Sequence, residues 1–524
     1  MKTCESCAQQ FEVTSDDREF FKKFDVSDPT LCPDCRQKRR LSHRNERCLY
    51  RRKCDLSGRD IITTYSPDKP LKVYGTEEWW SDNWDPLEYG QDYDPTRPFF
   101  EQILELSKKT PRPPLINFNS ENSLYTSHSG HNKNCYMCIN VAKNEDCYYI
   151  TNFCIYNKDC VDCLAIHHCE LCYFCTDTRN SSFSEFLDEC RHCNNCMFCY
   201  DCHSCSDCFG CFNLRHKKHY IFNKPYSQEE YEKKIKEIRP TTWLETVKAF
   251  SHFKELLKEN AIFKYAKTEN CQDCIGDHIT GSKNVKNSYY GYDTEDAAYC
   301  YDFGEMKMIW DVTEPWKGEL QYETHACNEV YNGMGDSKCY ECNNVFYSQY
   351  CWYSNNIFGC FGLKRKENCI LNKQYSPEEY EKLRAQIIEN MKKSGEWGEF
   401  FPMEHSPYCY NETAAHEYCP LTKETAPSWY EGEDTASKDA GDASKCDTCG
   451  KSFRIIPQEA ELYGRKKLPL PGACPDCRHK MRMGLRPPRK LQKGSCGKCG
   501  VEIETVFGDK KNVCCEKCYL ETVY

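Results

Sequence analysis

Aliphatic side chains and long apolar runs are scarce in this sequence. Only 39 % of the 524 residues are hydrophobic, and that share includes 43 Cys, 36 Tyr, 26 Phe and 9 Trp. No stretch approaches the roughly 18 apolar residues a membrane helix needs, which excludes an integral helical membrane protein. Met1–Val13 is polar and carries Cys4 and Cys7 where a secretory signal would place an apolar segment, so export by that route is not expected. Excess positive charge is missing too. Lys plus Arg is 70 against 80 Asp plus Glu, a net −10, which argues against a wholesale nucleic-acid coat and leaves local patches open. At roughly 150 residues per domain, the length allows three to four domains.

Cysteine is what the chain has instead. In a long chain without an export signal the expected compartment is reducing, and closely spaced cysteines then point to metal rather than disulfides. The odd total of 43 also disfavours complete internal pairing. Cytoplasmic residence is expected.

The two ends are copies. Adding 442 carries Cys4, Cys7, Phe11, Cys32-Pro33-Asp34-Cys35-Arg36 and Cys54 onto Cys446, Cys449, Phe453, Cys474-Pro475-Asp476-Cys477-Arg478 and Cys496 without a gap. Each copy reads C-x2-C, 24 residues, C-x2-C. A two-residue spacer aims both sulfurs at one point, and two such pairs suit tetrahedral Zn²⁺. Pro33 and Pro475 fit the first turn of a basic helix, giving the treble-clef arrangement of a knuckle followed by a ligand-bearing helix. A third set follows: Cys496, Cys499, then 15 residues, Cys515 and Cys518. Its N-terminal counterpart keeps Cys54 but has Ser57, Gly75 and Glu78 at the other ligand positions, so a metal-free ribbon is expected there, held by Trp79, Trp80 and Trp84.

These knuckles resemble the treble-clef zinc-ribbon family. The wider layout, with YSPDKPLKVY at Tyr65–Tyr74 and YNETAA at Tyr410–Ala415, is similar to a group of large cysteine-rich bacterial zinc-ribbon proteins. The resemblance implies zinc binding and implies no activity. Members of that group typically carry Cys where this chain has Gly75 and Glu78.

The middle is a second duplication, at an offset of 149. Phe209-Gly210-Cys211-Phe212 recurs as Phe358-Gly359-Cys360-Phe361, and both copies run on into Asn-Lys, Tyr-Ser and Ser-x-Glu-Glu-Tyr-Glu-Lys. Ser227/Glu230, Ser376/Glu379 and Thr242/Glu245 are capping boxes that start helices. Tyr231, Ile235 and Ile238 should form one apolar stripe, and Val247, Phe250 and Leu257 another. Ahead of each helix, Cys-, Tyr- and Phe-rich hexamers repeat about 12 residues apart in the first copy, and nearer ten or eleven in the second. Short strands at regular spacing read as a β-solenoid, whose rungs bury a core only by stacking.

The expected organisation is multidomain and mainly β. It comprises a treble-clef ribbon (1–47), a metal-free ribbon (48–90), a solenoid module with a C-terminal helix (115–240) and a connecting helix (241–264). A second module with a helix (265–395), an irregular segment (396–430), an acidic linker (431–445), a treble-clef ribbon (446–490) and a last zinc ribbon (491–524) complete it.

From Cys190 to Cys211 every third residue is cysteine, so a 12-residue rung would stack Cys190 over Cys202 and Cys193 over Cys205. Buried thiols acting as small hydrophobes, thiolate clusters of zinc or copper(I), and an iron–sulfur centre all remain open. The second module keeps only the C-x2-C pairs Cys271/Cys274 and Cys339/Cys342, which favours packing. His128, His131, His167, His168, His192 and His203 lie among the cysteines as possible further ligands.

Residues 36–59 carry ten Lys/Arg against two acids, and 478–493 carry seven and none. Held on a surface by zinc, Arg36, Lys38, Arg39, Arg40, Arg44, Arg478, Lys480, Arg482, Arg486 and Arg489 would contact RNA or DNA phosphate. The alternative is that they offset the thiolates or pair with acids of the solenoid. The reading is therefore a non-enzymatic zinc protein with three structural sites, a scaffold for nucleic acid or protein; the other class is a thiol-rich metal-storage or redox protein. No membrane or small-molecule partner is evident.

Overall fold

The computed structural model describes residues 1–45, 47–310, 319–322, 331–335, 337–432, 444–508 and 512–524, with 302–303, 305–310 and 319–322 as backbone alone. Most of the expected acidic linker, 433–443, lies outside the described residues, as do 311–318 and 323–330 of the second module. The chain is multidomain and mainly β, with several sheets, interspersed helices and four-cysteine groups near both termini. Among the described residues no helix is long and apolar enough to cross a membrane.

Two compact units form. One combines Met1–Pro114 with Lys267–Glu433, and the other combines Leu115–Ala266 with Asp434–Tyr524.

Each unit contains a parallel ladder in which residue i pairs with i+12: Met197 with Glu185, Ser206 with Lys218, Asn343 with Asn355, Asn355 with Glu367. The shorter beat of ten or eleven expected for the second copy is corrected. There the register is 12 from Gly276↔Ser288 onward, and 11 at Thr268↔Ile279, Glu269↔Thr280 and Gln272↔Lys283 before it. In the first ladder one extra residue slips the register to 13 at Glu145↔Lys158, where Asn152 and Phe153 both take positive φ.

The local cause is a three-residue rhythm. Every third residue along much of both ladders has φ near +50°, for example Asn134, Asp146, Asp159, His192 and Ser204. Asn, Asp and His tolerate that region better than most, and no Val, Ile or Thr occupies it among the described residues. The next residue points inward. The inward column therefore reads Cys160, Cys163, Ile166, Cys169, Cys172, Cys175, all nearly free of solvent.

Inward backbone groups need partners in that dry interior. Ser181 Oγ donates to Arg179 O (3.0 Å) and accepts from Cys193 N–H (3.1 Å), and Ser184 serves Ser182 O and Cys196 N–H in the same way. Cysteine does this more weakly: Cys163 donates to Val161 O (3.3 Å) and accepts from Cys175 N–H (3.4 Å). Asn132, Asn144 and Asn157 form a third variant, an amide ladder.

Both ladders end in the same hairpin. Ile221 pairs with Lys224 and Ile370 with Lys373, across Phe222-Asn223 and Leu371-Asn372 in positive φ. The capping boxes at Ser227, Thr242 and Ser376 are all present and start helices Gln228–Ile238, Trp243–Asn260 and Pro377–Ser394. Phe250 lies against the stacked rings of Phe174 and Phe186 at 5.5 and 5.4 Å. Ile238 departs from its expected stripe and is exposed, because the helix ends there and only Tyr231 reaches the ladder face.

In the first unit the motif Tyr65–Tyr74 meets the segment around Tyr410–Ala415. Tyr65 stacks on Tyr408 (5.3 Å), Tyr50 OH donates to Glu412 Oε1 (2.6 Å), and Asn45 bridges Thr413. Trp79 packs edge-on against Trp80 and Trp352, at 4.9 and 4.7 Å, and lies 5.8 Å from Trp84.

Candidate metal centres

Each terminal cysteine set is built on one backbone template. Cys4 N–H donates to Gln9 O (2.9 Å) and Ala8 N–H to Cys4 O (2.9 Å), closing a knuckle with Ala8 at φ 58°. Cys446 with Lys451 and Gly450, and Cys496 with Val501 and Gly500, repeat it. The third ligand of each set, Cys32, Cys474 or Cys515, is the N-cap of the helix that carries the fourth. Pro33 and Pro475 open two of these helices. A helix N-terminus favours thiolate.

The geometry brings together Cys4, Cys7, Cys32 and Cys35; Cys446, Cys449, Cys474 and Cys477; and Cys496, Cys499, Cys515 and Cys518, with all sulfurs of a set within 4.8 Å of one another. Cys7 and Cys32 are 3.8 Å apart, Cys449 and Cys474 3.7 Å, Cys499 and Cys515 3.7 Å. In each set one sulfur is prepared for charge. Burial opposes ionisation of Cys4, but the N–H groups of Cys32, Cys7 and Ser6 outweigh it and hold the thiol at about 6. Cys446 is likewise held at about 6 and Cys496 at about 5. The neighbours go the other way: burial pushes Cys474 up to about 11, and the adjacent Cys499 and Cys515 push Cys518 up to about 12. A thiol held low beside thiols pushed up is an arrangement in which an incoming cation displaces the remaining protons. Four convergent sulfurs fit a tetrahedral metal, and these three groups can bind one each.

A fourth knuckle tests the template. Cys54 N–H donates to Arg59 O (2.8 Å) and Gly58 N–H to Cys54 O (2.9 Å), and Gly75 N–H points at Cys54 Sγ (3.2 Å) as Cys515 N–H points at Cys496 Sγ (3.4 Å). Here Arg59 donates to Glu78 Oε1 (2.8 Å) and Glu77 Oε2 (2.7 Å). The Ser57 hydroxyl and the Arg59 guanidinium hold the Glu78 carboxyl below the usual range against a burial effect. Ser57, Gly75 and Glu78 stand where the other knuckles offer sulfur, and the carboxylate is paired with Arg59.

The basic residues are not a surface patch. Arg36, Arg39, Arg40, Arg44, Arg478 and Arg482 are buried, Lys38, Arg486 and Arg489 half-buried, and Lys480 alone exposed. In the second unit Arg478 Nε meets Asp162 Oδ2 (2.7 Å) and its Nη2 meets Glu459 Oε1 (2.9 Å), while Arg482 Nη1 meets Asp162 Oδ1 (2.9 Å). Arg486 pairs with Asp177 (2.6 Å). Burial would lower the Arg478 pKa, but Asp162, Tyr463 and Glu459 carry it well above its ordinary value. Burial pushes the Glu459 carboxyl up to about 7. In the first unit Arg39 Nη1 meets Glu399 Oε2 (2.7 Å), and Arg36 Nη1 donates to Leu31 O (2.7 Å) as Arg478 Nη1 donates to Ala473 O (3.0 Å). The basic helix after each knuckle turns most of these arginines toward the interior of its unit. Sequence spacing gave no sign of Asp162, Glu459 or Glu399 as partners.

None of His128, His131, His167, His168, His192 or His203 belongs to a four-sulfur group. His167 is half-buried, and desolvation, helped by the nearby Arg179, holds its imidazole down at about 3.

No protein-family model matches the chain, and no curated protein matches it. Among solved structures it is similar to a chain described as a "putative acetyltransferase" from Desulfovibrio desulfuricans G20, at 10 % identity and TM-score 0.12, over 48 % of this chain and 62 % of that one. The chain thus spans less than two thirds of that protein, and a likeness at that score carries no argument.

Proposed function

We infer that the protein is a non-enzymatic, zinc-stabilised scaffold for other proteins, resident in the cytoplasm. The carrying observation is the threefold recurrence of four sulfurs within 4.8 Å on a knuckle-and-helix template. All-sulfur tetrahedral sets with no open position suit structural Zn²⁺ rather than a catalytic ion. The knuckle followed by a ligand-bearing helix supports treble-clef ribbons at 1–47 and 446–490, and the i, i+12 register supports β-solenoids between them. The free thiols of the interior suit a reducing compartment.

Burial of six arginines turns the partner reading toward protein. Repeating outer faces, such as the Asn332–Asn344–Asn356–Asn368 amide ladder, offer the docking surface. Of the ten predicted contacts Lys38, Lys480 and Arg489 remain for nucleic acid, beside exposed neighbours such as Lys490 and Lys493. The test is metal content of full-length protein made under reducing conditions, together with salt-dependent RNA and DNA binding. About three zincs and no such binding supports the scaffold. Binding lost on changing Lys38, Lys480 and Arg489 to Ala would replace it with a nucleic-acid protein.

A further inference from the structure

The inward column of the first ladder contains one stretch that packing alone does not demand. From Cys190 to Cys211 all eight inward positions are cysteine, filling two consecutive turns, and each is at most 1 % exposed. One turn earlier Thr178, Ser181, Ser184 and Leu187 fill the same column, and the hydroxyls make better hydrogen bonds to the interior backbone than sulfur does. Sulfur therefore needs another reason. Each of these thiols interacts with those three residues away along the chain and twelve away on the next turn: Cys193 with Cys190, Cys196 and Cys205, and Cys208 with Cys196, Cys205 and Cys211. Unlike the terminal groups, no three of the eight sulfurs lie mutually within 4.8 Å. The result is an open lattice of sulfur pairs, not a tetrahedral pocket.

We propose that this lattice binds copper(I) in two-fold sulfur coordination, as a site separate from the terminal groups. The proposal extends the metal-binding reading above but rests on different residues. Soft sulfur selects soft ions, and a low-coordinate ion suits sulfurs that meet in pairs. Charge selects the monovalent ion. With each sulfur bridging two ions, n R–SH + n Cu⁺ → (R–S–Cu)n + n H⁺, so one proton leaves for each ion that enters, every copper keeps two sulfurs, and the interior stays neutral without change of oxidation state. A divalent ion held by four thiolates would leave two negative charges among inward neighbours such as Leu187 and Leu214, and uncompensated buried charge is strongly disfavoured. At the near end one turn, 212–223, follows Cys211, where Leu214 and Tyr220 are half-buried, Lys217 is exposed and Tyr231 packs on His219, so the ion enters by local opening of that turn.

The test is an anaerobic titration of zinc-loaded, full-length protein with Cu(I) supplied as its acetonitrile complex, reading copper per chain, Cu–thiolate luminescence and zinc released. Several copper ions should enter without zinc release. The Cys193→Ser/Cys196→Ser/Cys205→Ser/Cys208→Ser variant should keep its circular dichroism and its zinc while losing that copper. Copper uptake matched by zinc release, no uptake, or uptake unchanged in the serine variant would each overturn the proposal. If the fourfold variant misfolds, Cys193→Ser/Cys205→Ser alone, with at least half the luminescence expected to vanish, decides the question. Loss of zinc binding at the termini with copper uptake intact would sink the scaffold reading and leave this site standing.

Discussion

Replacing Asp162 by Asn removes the anion that two arginines share. Asp162, Arg478 and Arg482 are all fully shielded from solvent, and both guanidinium groups lie within 3 Å of the carboxylate. Removing one partner from a buried ion pair costs ~3–5 kcal/mol, because the remaining charge is left uncompensated. Each 1.4 kcal/mol is tenfold in the opening equilibrium, so the basic segment 478–493 should become ~10²–10³ times more accessible to trypsin. Native-state proteolysis of the full-length zinc-loaded protein, read by mass spectrometry of the cut sites, measures this directly. Two variants calibrate it. Glu77→Gln, which breaks the exposed pair with Arg59, should leave accessibility essentially unchanged. Asp162→Leu and Glu459→Leu with Arg478→Met and Arg482→Met should recover most of the lost stability, since apolar replacement of a whole buried ion set is often neutral or better. If Asp162→Asn changes accessibility less than about fivefold, under ~1 kcal/mol, the arginines are not held as described and their surface role returns.

The other predictions are narrower. Changing Ser57, Gly75 and Glu78 to Cys completes a four-sulfur set with Cys54 and should raise the zinc count by one. Gly75→Cys alone should be tolerated, because the new Cβ meets the movable end of the Glu78 side chain and Gly75 has an ordinary φ of −59°; an unchanged metal count in the triple variant would break the parallel with the other knuckles. His43 Nε2 lies 3.1 Å from Pro402 O, and burial holds the imidazole down at about 3. Its folded pKa is below its unfolded one, so its contribution is present above pH ~6.5 and is lost as pH falls, by ~2 kcal/mol between pH 6.5 and 5. Urea denaturation at the two pH values should show that loss shrinking by about this amount in His43→Gln; an identical pH profile would contradict it. Cys163→Val removes the acceptor for Cys175 N–H and should cost ~1–3 kcal/mol more than Cys163→Ser, which keeps one; equal costs in urea would remove the hydrogen-bonding account of the inward column.

Local chemistry was legible where it is written in short spacings. C-x2-C pairs and Pro33 marked the knuckles and their helices, and Ser-x-x-Glu marked three helix starts. The 149-residue duplication marked two ladders that end in one hairpin. The Ser57, Gly75 and Glu78 replacements marked the fourth knuckle as altered. What was hidden is non-local. A run such as Arg36–Arg40 looks the same whether it faces water or acids, and only folding brings Asp162 to Arg478, 316 positions away in sequence. The rhythm of positive φ was disguised because Tyr149, Phe174 and Phe198 take the role as readily as Asn or Asp once the interior column is packed. The beat of the second ladder was misjudged because its hexamers keep the outward aromatics less regularly than the inward residues keep theirs.

Native mass spectrometry of the full-length protein, followed by hydrogen exchange before and after chelation, confronts the central claim. Three zinc ions per chain, with residues 1–41, 446–483 and 496–523 losing protection when the ions are stripped while both ladders keep theirs, is the predicted result. Ends that carry no metal, that are joined by disulfides, or that stay protected after chelation would contradict it.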